Sequence, residues 1–381
     1  MPRTLLVTND FPPTIGGIQS YLRDFLGCLN PEDVVVFAST QDAHAAQEFD
    51  SQANYTVVRW PRKVMLPTAA TTRRMQELIR IHNIDTVWFG AAAPLALMGK
   101  AAKQAGAKKV VATTHGHEVG WSMLPGARYA LRLIGNHADC ITYISQYTLR
   151  RFSKAFGPHP QWVRMPSAVS AEQFISGQES TAVAKEHFGL IDAPSAPVIL
   201  CVSRLVPRKG QDQLLRAMPL IREKVPDAQL LIIGRGRYRK TLDVLAKMYE
   251  PDAVIKEAED SVELSLAFAA GDVFAMPVRT RGGGLDVEGL GIVYLEAQAA
   301  GLPVIAGKSG GAPETITSDT GVVVDGNNVH ELADNLVDML KNPERAAAMG
   351  RAGRRHVEEN WNWEVMGQQL RTALEPDSCT Q

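Results

Sequence analysis

Two glutamates with seven residues between them, Glu288 and Glu296, flank the glycine-rich string Gly289-Leu290-Gly291-Ile292-Val293. The run from Ile292 to Ala300 has helical spacing, so Glu296 falls on its second turn and Glu288 on the loop that enters it. The backbone N–H groups of Gly291, Ile292 and Val293 are then the unpaired donors of a helix start, which is an anion site. A diphosphate seated there puts a sugar near Glu288 and a ribose near Glu296. Upstream, Arg204 and Lys209 sit in the loop Ser203-Arg204-Leu205-Val206-Pro207-Arg208-Lys209-Gly210, which follows an apolar run. Arg offers a planar fork to phosphate oxygens and Lys a compact charge. Taken alone, these cations could be solvated loop residues. Set beside the two glutamates, they describe chemistry on a nucleotide-diphosphate sugar.

The N-terminal half carries weaker signals of the same kind. Gly16-Gly17 is a glycine turn opening a helix, and its N–H groups could reach donor phosphates. His115-Gly116-His117-Glu118 follows another apolar run. A single histidine at a strand end is often structural, while two histidines and a glutamate together shift the balance toward function. The His-x-His spacing lacks a third ligand, so no metal is expected. Gly234-Arg235-Gly236 is a tight turn that by itself says little.

These residues need strands and helices to hold them. Short apolar, β-branched runs at Thr4–Val7, Val34–Ala38, Tyr55–Arg59, Thr86–Gly90, Lys109–Thr113, Cys140–Ile144 and Trp162–Met165 alternate with helical patterns such as Ser20–Leu29, Thr72–His82, Pro94–Gln104 and Ala127–Asn136. After a polar stretch from about Ser176 to Pro197, read as a poor candidate for core, the alternation restarts. Its strands are expected at Val198–Val202, Gln229–Ile233, Asp252–Ile255, Val273–Met276, Pro303–Ala306 and Gly321–Val324. Such alternation makes parallel, doubly wound sheets. The fold class is therefore α/β, with two Rossmann-like domains facing each other across a cleft. We expect an N-terminal domain at 1–167, a C-terminal domain at 168–358, and a last helical segment, 359–381, returning to the first domain. Residues Glu344–Leu374 read as helical.

Bulk properties narrow the class. The 381 residues suit two domains, and 45% apolar with 21% charged composition is that of a globular protein with real cores. No signal peptide and no run long enough to span a membrane is read. Four scattered cysteines (Cys28, Cys140, Cys201, Cys379) read as reduced thiols of a cytoplasmic protein. The net charge of −1 conceals an asymmetry: residues 1–166 hold 18 Lys and Arg against 11 Asp and Glu, and the remainder is acidic. A basic first half suggests an anionic partner. The absence of a basic stripe argues against nucleic acid.

With these motifs together, the chain resembles the retaining GT-B glycosyltransferases of family 4, which carry a Glu-x7-Glu motif. The resemblance covers nearly the whole sequence through Gly16-Gly17, His115, Ser203-Arg204 to Lys209-Gly210, Glu288 to Glu296, and Gly310-Gly311 to Glu314. It implies that Arg204 and Lys209 neutralise the departing diphosphate, that Glu288 holds the transferred sugar, and that Glu296 binds the ribose. His115 is placed beside the sugar and the reacting bond, with His117 a weaker candidate. Gly16 and the backbone at Gly291, Ile292 and Val293 complete a phosphate cradle. Backbone near Ile255 and Lys256 is placed at the base. The loop between Pro277 and Glu288 is longer than usual for the family.

Asn9-Asp10-Phe11-Pro12-Pro13, Thr114-His115-Gly116-His117-Glu118 and Arg279 to Gly291 narrow the resemblance to actinobacterial α-mannosyltransferases that build phosphatidylinositol mannosides. That resemblance implies GDP-mannose as donor, phosphatidylinositol monomannoside as acceptor, and no cofactor. One local feature fits a lipid acceptor. From Ser51 to Gln76 there are five basic residues and no acidic one. Arg62, Lys63, Met65, Leu66, Arg73 and Arg74 are the expected contacts with an anionic membrane, which places the protein at the inner face of the cell membrane. The competing view of this segment is a solvated helix face. Other function classes remain: a sugar transferase using another nucleotide sugar or a soluble acceptor, a nucleotide-sugar epimerase, or a binding protein without catalysis. A nicotinamide-dependent enzyme is disfavoured because no G-x-G-x-x-G follows the first strand.

Overall fold

The computed structural model describes residues 1–174, 178–190 and 196–376. It divides into two compact units: Met1–Ser167 together with the chain from Trp363 onward, and Ala168–Asn362.

The first unit is built on seven strands, β1 (Thr4–Thr8), β2 (Val34–Ser39), β3 (Thr56–Trp60), β4 (Thr86–Phe89), β5 (Lys109–Thr113), β6 (Cys140–Tyr143) and β7 (Gln161–Arg164). They pair in the order β3-β2-β1-β4-β5-β6-β7, all parallel. Every residue of the five interior strands is buried, while the edge strands β3 and β7 are partly exposed. This is why the interior strands read as unbroken apolar runs: helices cover both faces.

The second unit repeats the plan with β8 (Val198–Val202), β9 (Gln229–Ile233), β10 (Val254–Lys256), β11 (Val273–Met276), β12 (Val304–Gly307) and β13 (Gly321–Val324). The order is β10-β9-β8-β11-β12-β13, again all parallel. In each sheet the strand order reverses next to its first strand, between β1 and β4 and between β8 and β11. Such switch points open a crevice at the carboxyl ends of the strands, where ligands of this architecture bind. All the strands expected from the sequence are present.

The helices depart from expectation in three places. Within the stretch taken as poor core, Gln178–Phe188 is a helix whose Ala184 and Phe188 are buried in the second core. Its Lys185 is also buried, pairing with Asp272 at 3.1 Å and donating to the Ala196 carbonyl. The rest of that stretch, 175–177 and 191–195, lies outside the described residues, as does Cys379. The C-terminal helical run is two helices, Pro343–Asn360 and Trp363–Leu374. The first runs on to a cap at the buried Trp361, so the chain passes to the first unit between Asn362 and Trp363 rather than at 359. Finally, the helix expected over 94–104 is a 3-10 turn at Leu95–Met98 followed by Gly99–Gln104.

Candidate active site

In the second unit, the loops after β8 and β11 meet at the switch point. Lys209 and Glu288 are both buried, and Lys209 Nζ lies 2.7 Å from Glu288 Oε2. Arg208 adds a second cation, its Nε 3.7 Å from the same oxygen. Burial pushes the Glu288 carboxyl up, but Lys209, Arg208 and Arg204 outweigh it and hold the group below its ordinary value. Arg204 itself is exposed just past the end of β8. Arg208 was not singled out in the sequence. Only its adjacency to Lys209 hinted at it, and it also pairs with Asp286 at 3.3 Å.

Glu296 lies on the helix Ile292–Ala299, one turn beyond the start. Its residue surface is partly exposed, yet its carboxyl is pushed up to about 7 by desolvation, with Lys209 pulling the other way. The helix begins at Gly291 in the left-handed region (φ 87°) without a side-chain cap. A Cβ on Gly291 would stand 2.6 Å from the Tyr294 ring, which is pinned through its hydroxyl to the Met276 carbonyl at 2.6 Å. Tyr294 N–H bonds to the Gly291 carbonyl, which leaves the N–H groups of Ile292 and Val293 at the helix mouth. The helix after the Arg204 loop, Gln211–Arg222, likewise lacks a side-chain cap. Gly310, also left-handed, approaches the Glu288 carbonyl so closely that a Cβ would overlap it, and Gly311 N–H donates to that carbonyl at 3.0 Å. The glycine pair thus fixes the backbone that carries Glu288.

The long loop from Pro277 to Glu288 is tied down. Arg281 and Asp286 form an antiparallel bridge, Arg279 pairs with Asp212 at 2.8 Å, and Thr280 meets Ser309. Ile255 and Lys256 lie on the edge strand β10. The Lys256 carbonyl already accepts from Gly234 N–H, and its ammonium reaches the Phe188 carbonyl at 3.2 Å.

In the first unit, Gly16 and Gly17 lead into the helix Gly17–Leu26 after β1, and no side chain caps this helix either. His115, just past β5, sets its Nε2 2.7 Å from the Gly90 carbonyl at the end of β4. A carbonyl only accepts, so Nε2 carries the proton and Nδ1 keeps its lone pair. Desolvation lowers the His115 pKa to about 4, so the ring is neutral. Tyr21 packs edge-on against it, with ring centroids 5.0 Å apart. The fully buried Glu118 accepts from the N–H groups of both His115 (3.2 Å) and Gly116 (3.0 Å) through Oε2. His117 is exposed, 3.2 Å from Glu118 Oε1.

One expected membrane contact is corrected. Met65 is fully buried in the first core, and its backbone N–H and C=O are both clamped by the Asn9 side chain. A residue so held cannot reach lipid. Arg62, Lys63, Leu66 and Arg73 are exposed, and Arg74 pairs with Glu77 at 3.1 Å. Among the described residues, no helix is long and apolar enough to cross a membrane, and no group of three or more His, Cys, Asp or Glu side chains could hold a metal ion.

Two parallel sheets, each with its loops gathered at a switch point, form the GT-B architecture of glycosyltransferases. Solved structures share it: Anabaena HepE in complex with UDP and glucose matches with TM-score 0.78 at 17% identity, covering 98% of this chain and 99% of that one. Sucrose-phosphate synthase from Thermosynechococcus elongatus matches with TM-score 0.76 at 20% identity, covering 97% of each. At these identities they show the fold alone. Residues 15–173 match the model of Glycosyltransferase Family 4, and residues 184–356 match that of Glycosyl transferases group 1. The chain is 57% identical, over 98% of both sequences, to the GDP-mannose-dependent monoacylated alpha-(1-6)-phosphatidylinositol monomannoside mannosyltransferase of Corynebacterium glutamicum. It is 51% identical, over 97% of both, to the GDP-mannose-dependent alpha-(1-6)-phosphatidylinositol monomannoside mannosyltransferase of Mycolicibacterium smegmatis. The corresponding Mycobacterium tuberculosis protein is 48% identical over 100% of both. The protein belongs to glycosyltransferase family 4.

Proposed function

We propose that the protein transfers mannose from GDP-mannose to phosphatidylinositol monomannoside, retaining the α configuration, in the synthesis of phosphatidylinositol mannosides. The observation that carries this reading is identity of 48–57% along almost the whole chain with enzymes bearing that activity in their names. In this reading Arg204 and Lys209 stabilise the charge that grows on the leaving diphosphate, helped by the N–H groups of Gly291, Ile292 and Val293 and by Gly16 and Gly17. Glu288 holds the mannose hydroxyls, Glu296 the ribose, and backbone at Ile255 and Lys256 the base.

Retention through a carboxylate nucleophile needs a second carboxyl roughly 5–5.5 Å away across the sugar. Glu288 is instead occupied by two cations, which makes it a poor free nucleophile. The attack is therefore assigned to the same face as the leaving group, with the departing phosphate taking the proton of the incoming hydroxyl. His115, neutral and with a bare Nδ1, accepts a hydrogen bond from a sugar hydroxyl rather than donating a proton. No metal enters the scheme, so turnover in EDTA is expected to equal turnover without it. The exposed cations at Arg62, Lys63 and Arg73 seat the protein peripherally on the anionic cytoplasmic face of the membrane.

The test is incubation with GDP-mannose and phosphatidylinositol monomannoside in anionic vesicles, with UDP-glucose as control. A new α-mannose on the lipid supports the reading. Donor turnover only with a soluble acceptor would replace the lipid by that acceptor, and transfer only from another nucleotide sugar would replace the donor.

A further inference from the structure

The first unit exposes a second group of large apolar side chains, well away in sequence from Arg62 and Lys63. Met123, Leu124 and Tyr129 are 48%, 63% and 66% exposed. Met123 ends the short helix Glu118–Met123, Leu124 begins the helix Pro125–Gly135, and Tyr129 lies on its second turn. That second helix turns Leu131, Ile134 and Gly135 inward, so Tyr129 stands on its outer side. The neighbouring helix, Gln146–Phe156, buries Thr148, Phe152, Ala155 and Phe156 and leaves Arg150 and Lys154 exposed. The two helices are joined where Arg132 donates to the Lys154 carbonyl at 3.2 Å.

The charge around this apolar group is one-sided. Residues 119–164 contain Arg128, Arg132, Arg150, Arg151, Lys154 and Arg164 but a single acid, Asp139. Asp139 is already neutralised by Lys103 at 2.5 Å. Arg151 is turned onto the Tyr147 hydroxyl at 2.8 Å and the Met123 sulfur. Arg128, Arg150 and Lys154 are exposed: Arg128 precedes Tyr129 on its helix, Arg150 adjoins the Arg151 that reaches Met123, and the Lys154 carbonyl meets Arg132 of the Tyr129 helix. Clustered exposed apolar side chains with a basic rim mark an interaction surface, and the excess of basic over acidic residues in this segment matches an anionic one.

Topology adds a further constraint. All seven strands of this sheet are parallel, so the segments following β3 and β5 both leave it at its carboxyl end. The first carries Arg62, Lys63, Val64 and Leu66. The second runs through His115 to Leu124.

We propose that Met123, Leu124 and Tyr129, with Arg128, Arg150 and Lys154 around them, form a second membrane-docking point that inserts into the surface of an anionic bilayer. This rests on the lipid-acceptor reading above and deepens it. Two contacts at the carboxyl end of the sheet fix the orientation of the first unit on the bilayer, which one contact cannot do. They set the carboxyl end of β5, where His115 stands, toward the lipid headgroups.

The test compares the wild-type chain with M123S/L124S/Y129S and with R128E/R150E/K154E. Binding is read by co-sedimentation with phosphatidylglycerol/phosphatidylcholine vesicles that contain no acceptor. Turnover is read separately on detergent-dispersed phosphatidylinositol monomannoside. Each methylene withdrawn from the bilayer is a factor of about four in partition, so the apolar variant should bind at least about 10-fold more weakly. The charge variant should lose a comparable factor at low salt and less at high salt. Both variants should keep wild-type melting temperature and wild-type turnover on dispersed acceptor. Wild-type vesicle affinity in both variants overturns the proposal, and so does failure of the wild-type chain to bind anionic vesicles. No transfer to dispersed acceptor by the wild-type chain would instead sink the lipid-acceptor reading, whatever the vesicles show.

Discussion

Replacing Lys209 by methionine keeps an unbranched side chain of nearly the same length and deletes its charge, which tests both the ion pair with Glu288 and the proposed role on the leaving diphosphate. In the unliganded protein Lys209 neutralises the buried Glu288 across 2.7 Å. Removing one partner of a buried pair costs about 3–5 kcal/mol, because the other charge is left stranded. Arg208 remains at 3.7 Å from the same oxygen, so a loss nearer to about 2–3 kcal/mol is expected. For a unit of this size that corresponds to a fall of about 5–10 °C in melting temperature. The pH dependence gives the sign. Glu288 is now held below its ordinary value, so its contribution is present above the unfolded-state value and fades as pH falls through the folded one. Without Lys209, burial dominates and the carboxyl rises, so ionising it destabilises the variant as pH increases. The gap in melting temperature should therefore widen from about pH 4 to pH 7. In turnover, loss of the charge facing the leaving diphosphate should lower kcat at least about 100-fold. Calorimetry across pH and initial-rate assays with GDP-mannose check both. A K209M protein melting within about 1 °C of wild type at pH 7 and turning over within about threefold would refute the pairing and the catalytic assignment together.

Glu296→Gln should stabilise the protein above pH 7 by about 1–2 kcal/mol after allowance for partial exposure, and leave it unchanged near pH 4.5. The carboxyl held up to about 7 favours the folded state only while protonated. The same variant should raise KM for GDP-mannose more than it lowers kcat. Because the His115 pKa lies at about 4, kcat/KM should show no limb from this ring between pH 5 and 8, and 15N NMR should find the proton on Nε2. His115→Asn, whose amide can still donate to Gly90, should retain more activity than His115→Ala. Gly310→Ala must displace the Glu288 carbonyl and is expected to cost at least about 3 kcal/mol together with most of the activity; a stable, active G310A would show that the backbone is free to move. Met65→Ser should lower stability by about 2–5 kcal/mol without changing vesicle affinity, since the side chain faces the core.

The sheets were legible because parallel strands covered on both faces cannot hide their composition: Leu5 to Val7, Val198 to Val202 and Val273 to Met276 have no polar positions to blur the signal. The loops after them were legible through residue type, since Arg204 and Lys209 follow directly on the end of β8 and the two glutamates bracket the glycine-rich entry to the helix after β11. What the sequence concealed depends on partners distant along the chain. Met65 sits among Lys63, Val64 and Leu66 and shares their composition, yet Asn9 draws its backbone inward through two hydrogen bonds. In the helix Gln178–Phe188, Ala184, Lys185 and Phe188 form the buried side among the residues from 181 on, with exposed Glu186 and His187 between them. Lys185 in particular looks like a solvent residue until Asp272 is placed beside it. The long helical run from 343 to 374 shows no proline or glycine at its break, because burial of Trp361 rather than local propensity ends the first helix. Glu118, too, reads as a surface acid until the N–H groups of His115 and Gly116 are seen converging on it.

The helices that open at Gly17, Gln211 and Ile292 share one omission: none has a side chain closing its first turn. Serine, threonine, asparagine or aspartate at such a position is worth about 1 kcal/mol, so each start gives up a stabilisation that other helices of the chain keep through Thr68, Ser145 and Asn328. On the proposed reading, a diphosphate at the Gln211 and Ile292 starts supplies acceptor oxygens there, which would make the donor part of the secondary structure of the second unit. Occupancy then sets how often these turns fray: at a hundredfold excess of ligand over Kd the folded state gains about 2.7 kcal/mol. The amides of Ile292 and Val293 should exchange with solvent fast in the empty protein and slowly once GDP is added. The lifetime of the enzyme against proteolysis would accordingly track the supply of nucleotide.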